Sequence, residues 1–150
     1  MNGIIPLAVL VLFSGHGYAR TNHSDLDSGI GKPGTADEVV RVVKLTQVDN
    51  MFLPAEITVR AGETIQFVVK NGGNHRHEML IGTTADLKKV AGMRRTDPDS
   101  KPDEENLLQL EPGEQKELIW QFTHAGIVEF ACPLPGHFKK MRGKIIVEKK

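Results

Sequence analysis

Along most of the chain, apolar and polar residues alternate with the period of two that marks a half-buried strand. Ile57 and Val59 alternate with polar neighbours in Glu56–Arg60, as do Ile65, Phe67 and Val69 in Thr64–Lys70. The stretch His77–Ile81 places His77, Met79 and Ile81 on one face. Leu118, Trp120 and Phe122 share a face in Gln115–Phe122, and Val128, Phe130 and Cys132 share one in Ile127–Cys132. Val39–Val48 is rich in β-branched residues, and Lys144–Glu148 closes the chain. Ala61-Gly62-Glu63 and Glu111-Pro112-Gly113-Glu114 supply turns between these runs. Short strands separated by Gly and Pro turns predict an all-β fold, a Greek-key antiparallel β-sandwich.

One segment breaks the period. Leu87, Val90 and Ala91 recur at helical spacing within Thr83–Met93, and Thr83 with Asp86 has the form of a capping box. A short helical insertion is expected there. The stretch 94–106 that follows holds eight charged residues and two Pro in thirteen, which predicts an exposed loop.

The two ends of the pattern define the domain organisation. Ile4 to Phe13 is an almost unbroken apolar run of ten residues, and no charged side chain occurs before Arg20. As a helix it would span ~15 Å, half of the ~30 Å hydrocarbon core of a bilayer. That length, with Gly17 and Ala19 at the −3 and −1 positions of a cleavage site, predicts a signal peptide over 1–19 and export to a periplasm. No membrane span is expected after its cleavage. Residues 20–38 have only three apolar side chains and read as a flexible arm. The folded domain is then 39–150.

Composition narrows the function. Nineteen basic and nineteen acidic residues cancel, so no basic field exists to attract nucleic acid. A single Cys excludes a disulfide framework, a CxxC redox pair and an iron–sulfur cluster. A lone thiol in an oxidising compartment calls for burial, a partner chain or a metal.

The sequence around that Cys favours the metal. Cys132, His137 and Met141 lie at spacings of five and four, in a stretch whose Pro133, Pro135 and Gly136 cannot continue a ladder. One tight loop therefore offers a thiol, an imidazole and a thioether to one point. Soft sulfur ligands with imidazole select copper. A second His is needed from elsewhere in the fold. His77, opening an inward-facing strand after the bend Asn71-Gly72-Gly73-Asn74, is the leading candidate; His75, of the same parity, is its rival. A cysteine hydrolase would leave Met141 unexplained, and a zinc enzyme has little use for a thioether.

Asn71…His77 with Cys132-x4-His137-x3-Met141, on a small secreted β-sandwich, resembles the cupredoxins, the type 1 copper proteins related to azurin and plastocyanin. The His77-Glu78-Met79 start, the helical insertion and the Ala131–His137 loop are most similar to bacterial periplasmic copper-tolerance cupredoxins. The resemblance covers about residues 39–150. It implies one type 1 copper held by His77, Cys132, His137 and axial Met141. It implies one-electron exchange rather than bond-making catalysis, with oxidation of Cu(I) the one enzyme-like activity in view. Its role would be copper tolerance or, alternatively, soluble electron transfer. The implied partner is a redox or copper-donor protein, met transiently by a monomer. His137 would be the exposed edge through which electrons pass, ringed by Leu134, Pro135 and Phe138. Glu78 departs from the family pattern, in which Asn often follows the first His and braces the copper loop.

Overall fold

The computed structural model describes residues 29–100 and 104–150. The stretch expected to be a signal peptide, 1–19, and residues 20–28 of the expected arm lie outside the described residues. Ten strands and one helix follow in order: β1 Lys32–Pro33, β2 Val39–Val48, β3 Met51–Leu53, β4 Glu56–Arg60, β5 Thr64–Asn71, β6 His77–Gly82, α1 Thr84–Thr96, β7 Leu107–Leu110, β8 Gln115–Gln121, β9 Gly126–Ala131 and β10 Arg142–Glu148. They form two five-stranded sheets, β1-β8-β5-β2-β3 and β4-β10-β9-β6-β7.

The alternating residues meet between the sheets. Ile65, Phe67 and Val69 of β5, Ile57 and Val59 of β4, Val128 and Phe130 of β9, and Met79 and Ile81 of β6 are buried in one core. Phe52 sets its ring edge-on to Phe130 at 5.0 Å across this core. Each such side chain contributes ~1.5–3 kcal/mol through burial.

The sandwich is not antiparallel throughout. β2 runs parallel to β5, and β4 parallel to β10. Both pairs arise because β4 crosses to the opposite sheet between β3 and β5, so strands adjacent in space are not adjacent in sequence. Three short strands, β1, β3 and β7, were not signalled by alternation. β1 belongs to the stretch read as an arm. It pairs with β8, and Ile30 just before it is buried, its carbonyl accepting from Trp120 Nε1 at 2.9 Å. The folded body therefore begins before Val39.

The helix starts where its capping box predicted, with Thr83 and Asp86 satisfying each other's backbone N–H groups. It runs to Thr96, one turn past Met93. Arg94, placed by sequence in an exposed loop, is buried. Among the described residues no helix is long and apolar enough to cross a membrane.

Candidate metal centre

Strand pairing brings the candidate residues to one end of the second sheet. β6 pairs with β9, and β9 pairs with β10, with Ala131 opposite Arg142. The segment 132–141 is therefore the loop of a hairpin. Its own backbone closes it: Cys132 N–H donates to the Met141 carbonyl at 3.0 Å, and Met141 N–H to the His137 carbonyl at 2.9 Å. Cys132 and Met141 are thereby neighbours at the loop's base, and both are fully buried.

His77 enters from the start of β6. The bend before it is held by Asn71, whose Oδ1 accepts from Gly73 N–H and whose Nδ2 donates to the His75 and Leu110 carbonyls. His77 is 1% exposed, whereas the His75 side chain is 71% exposed. The structure thus brings His77, and not His75, to the loop.

The Nδ1 atoms of His77 and His137 face each other at 3.3 Å, and His137 Nδ1 lies 3.5 Å from Cys132 Sγ. The three donor atoms all lie within 4.8 Å of one another. The Glu78 backbone N–H donates to Cys132 Sγ at 3.3 Å, a position where the sulfur gains a partner from the main chain itself.

Asp49, in the β2–β3 turn, was not singled out by sequence. Its Oδ1 lies 3.0 Å from His77 Nε2. A carboxylate only accepts, so Nε2 donates to it and the ring is turned with Nδ1 toward the cluster. The bond from His77 holds the Asp49 carboxyl down at about 2. Gly73 makes room for this pair: a Cβ there would overlap Asp49 Oδ1 and sit 3.0 Å from His77 Nε2. No local pattern marks Asp49, which is 28 residues from its partner and touches it only in the folded state.

Burial pushes the Cys132 thiol up to about 11. Burial, and then the neighbouring His77, push His137 below the ordinary imidazole range. Both effects disfavour a charged site without a metal. An imidazole nitrogen turned to the cluster by Asp49, a second imidazole whose protonated form is disfavoured and a buried soft sulfur, converging within one ion's reach, suit a thiophilic cation. These residues fit copper.

The rim of His137 differs from expectation. His137 is half-buried and Pro135 is exposed, but Leu134 is buried in the core. Phe138 packs against the cluster of Leu80, Leu87, Val90 and Ala131, with Arg142 over its ring at 5.0 Å. Proline removes Leu134 from the ladder on either side, and the tight turn tucks it inward. The exposed apolar ring around His137 is thus reduced.

Comparison with known proteins places this arrangement. The chain is 44% identical to a copper-resistant cuproprotein, CopI, of Rubrivivax gelatinosus over 135 residues, covering 89% of this chain and 82% of the relative. It is 30% identical to a copper-resistant cuproprotein of Pseudomonas aeruginosa, covering 97% of each. In fold it is similar to auracyanin B, with a TM-score of 0.65 at 18% identity, covering 78% of this chain and 95% of that one. Auracyanin A, a "blue" copper protein of Chloroflexus aurantiacus, superposes with a TM-score of 0.61 at 22% identity, covering 71% and 98%. The model of the copper binding proteins of the plastocyanin/azurin type matches residues 40–148, a span that contains both sheets' long strands, His77 and the whole 132–141 loop. A two-sheet sandwich with a Cys and two His gathered at one end, matched along that length, belongs to the plastocyanin/azurin family of copper binding proteins.

Proposed function

We propose that this protein serves copper tolerance in the periplasm, binding one copper through His77, Cys132, His137 and Met141 and exchanging one electron there. The observation that carries the reading is the cluster of His77, Cys132 and His137 in a chain 44% identical to a copper-resistant cuproprotein. The apolar run of the first nineteen residues supports export. When bound, copper supplies a one-electron couple between Cu(I) and Cu(II). The protein's part is to hold the donors still. Asp49 locks the His77 ring, the hairpin backbone locks the loop, and Cys132 supplies the soft sulfur. Met141, buried at the loop's base, adds the thioether. Half-buried His137 is the group nearest solvent and the contact point for a transient partner, either a copper donor or a redox protein.

Deletion in the native host tests the role. Copper-sensitive growth with normal respiration at low copper is expected, restored by the wild-type chain but not by Cys132→Ser. A respiratory defect at low copper with unchanged copper sensitivity would establish an electron carrier instead.

The ligand assignment has its own check. In copper-loaded protein, His77→Ala is expected to remove the intense visible absorption, while His75→Ala leaves it in place. The opposite pattern would transfer the ligand role to His75.

A further inference from the structure

β6 is buried at all six of its positions. A sandwich strand normally buries alternate residues only. Here α1 lies over the outer face of the sheet: Leu80 joins Leu87, Val90 and Ala131 in a second apolar cluster beneath the helix. Glu78 shares Leu80's parity and lies under the same cover, 0% exposed.

Its carboxylate is met by Arg94, itself 1% exposed, in a two-pronged pair. Arg94 Nε donates to Oε2 at 3.1 Å and Nη2 to Oε1 at 3.0 Å. Gln109 of β7 adds a bond to Oε1 at 2.9 Å. The remaining Arg94 nitrogen donates to the Ser100 carbonyl and hydroxyl. Replacing such a buried pair with apolar residues is often neutral or stabilising, so stability alone is a poor reason for its presence.

The Glu78 peptide suggests the reason. Its N–H is the donor to Cys132 Sγ, and its carbonyl accepts from Gln47 Nε2 of the other sheet. The ladder from β6 to β9 begins only at Leu80. On the side facing the copper loop, no strand pairing holds residue 78. On its other side Glu78 stands opposite Gln109 in the β6–β7 ladder. Toward the copper loop its side-chain anchors take the place of a ladder, and of these the Arg94 fork is the most directional.

We propose that Arg94 is a positioning residue of the metal centre: through its paired bonds to Glu78 it fixes the Glu78 N–H on the Cys132 sulfur and so sets the reduction potential. A hydrogen bond to a ligating sulfur withdraws electron density and favours the reduced metal. Loosening it, or leaving the Glu78 carboxylate without its cation, moves the potential the same way, downward. The helical insertion is then an outer support of the copper site, linked to it a second time through the apolar cluster that Leu87 and Val90 share with Leu80 and Ala131, against which Phe138, next to His137, packs.

This inference rests on the copper reading above, and the test separates the two. In the metal-free protein, Arg94→Met should speed amide hydrogen exchange at Glu78 by about tenfold or more, leaving Phe67 and Val69 in the other sheet unchanged. In the copper-loaded protein the same variant should lower the reduction potential and shift the visible band. Arg94→Lys keeps the charge but not the fork, and should recover only part of both effects; it also serves if Arg94→Met fails to fold. A potential and a Glu78 exchange rate equal to wild type in the folded variants would overturn the proposal, even if the melting temperature fell, because the pair would then be purely structural. Absence of an intense visible band in copper-loaded wild-type protein would sink the copper reading, while the metal-free exchange comparison would still decide the anchoring role.

Discussion

Cys132→Ser is expected to abolish the intense visible absorption of the copper-loaded protein. The absorption requires a sulfur-to-copper charge transfer, and the chain has no other Cys to supply it. A Ser hydroxyl is a hard, weakly donating oxygen that does not replace a soft thiolate. The fold itself should survive. The exchange of sulfur for oxygen is nearly isosteric, and the Glu78 N–H that donates to Sγ can donate to Oγ. The stability cost should be ~1 kcal/mol, that of burying a hydroxyl with one partner. Absorption and denaturation measured on the same preparation separate the two effects. Persistence of the band in a variant that remains folded would remove Cys132 from the site.

The second large effect lies in the fold rather than the site. Gly143 of β10 stands opposite Phe130 of β9. A Cβ at 143 would overlap the Phe130 ring and sit 2.6 Å from the Ala55 carbonyl oxygen. Phe130 is fully buried and already packs edge-on to Phe52, so the ring has no free direction in which to retreat. Overpacking of a close-packed core costs ~1–3 kcal/mol or more. Gly143→Ala should reach the upper end of that range, a fall of about 10 °C in melting temperature for a domain of this size. Chemical denaturation with fixed slope is the direct measurement. A loss below ~0.5 kcal/mol, the ordinary range of surface changes, would show that the ring and carbonyl move aside.

What could be read from sequence follows from how locally each feature is encoded. The long strands announce themselves because Ile57 with Val59, or Ile65 with Phe67 and Val69, carry their burial pattern within five to eight residues. Three of the candidate donors are legible for the same reason: Cys132, His137 and Met141 occupy one short loop. His77 required an inference about strand faces, and the structure places its Nδ1 beside that of His137. Asp49 could not be found this way, because a single acidic residue in a turn has no signature until folding sets it against His77. Arg94 was hidden for a different reason. It sits in a run of charges whose composition reads as solvated, and only its buried partner Glu78 explains its position. The parallel pairs β2–β5 and β4–β10 depend on a crossover between sheets, which residue alternation does not encode.

The cover that α1 lays over β6 also alters which substitutions this region can absorb. β4, at a sheet edge, alternates exposed and buried positions and leaves Glu56, Thr58 and Arg60 free to vary without disturbing the core. β6 has no such spare positions. Each of its residues answers to the core, to the helix or to the copper loop, so neutral drift along His77–Gly82 is confined to coordinated changes with partners elsewhere. Glu78 and Arg94 form the clearest such couple, since either one alone leaves an unmatched charge in the interior. An evolutionary path that alters one must alter the other at nearly the same time.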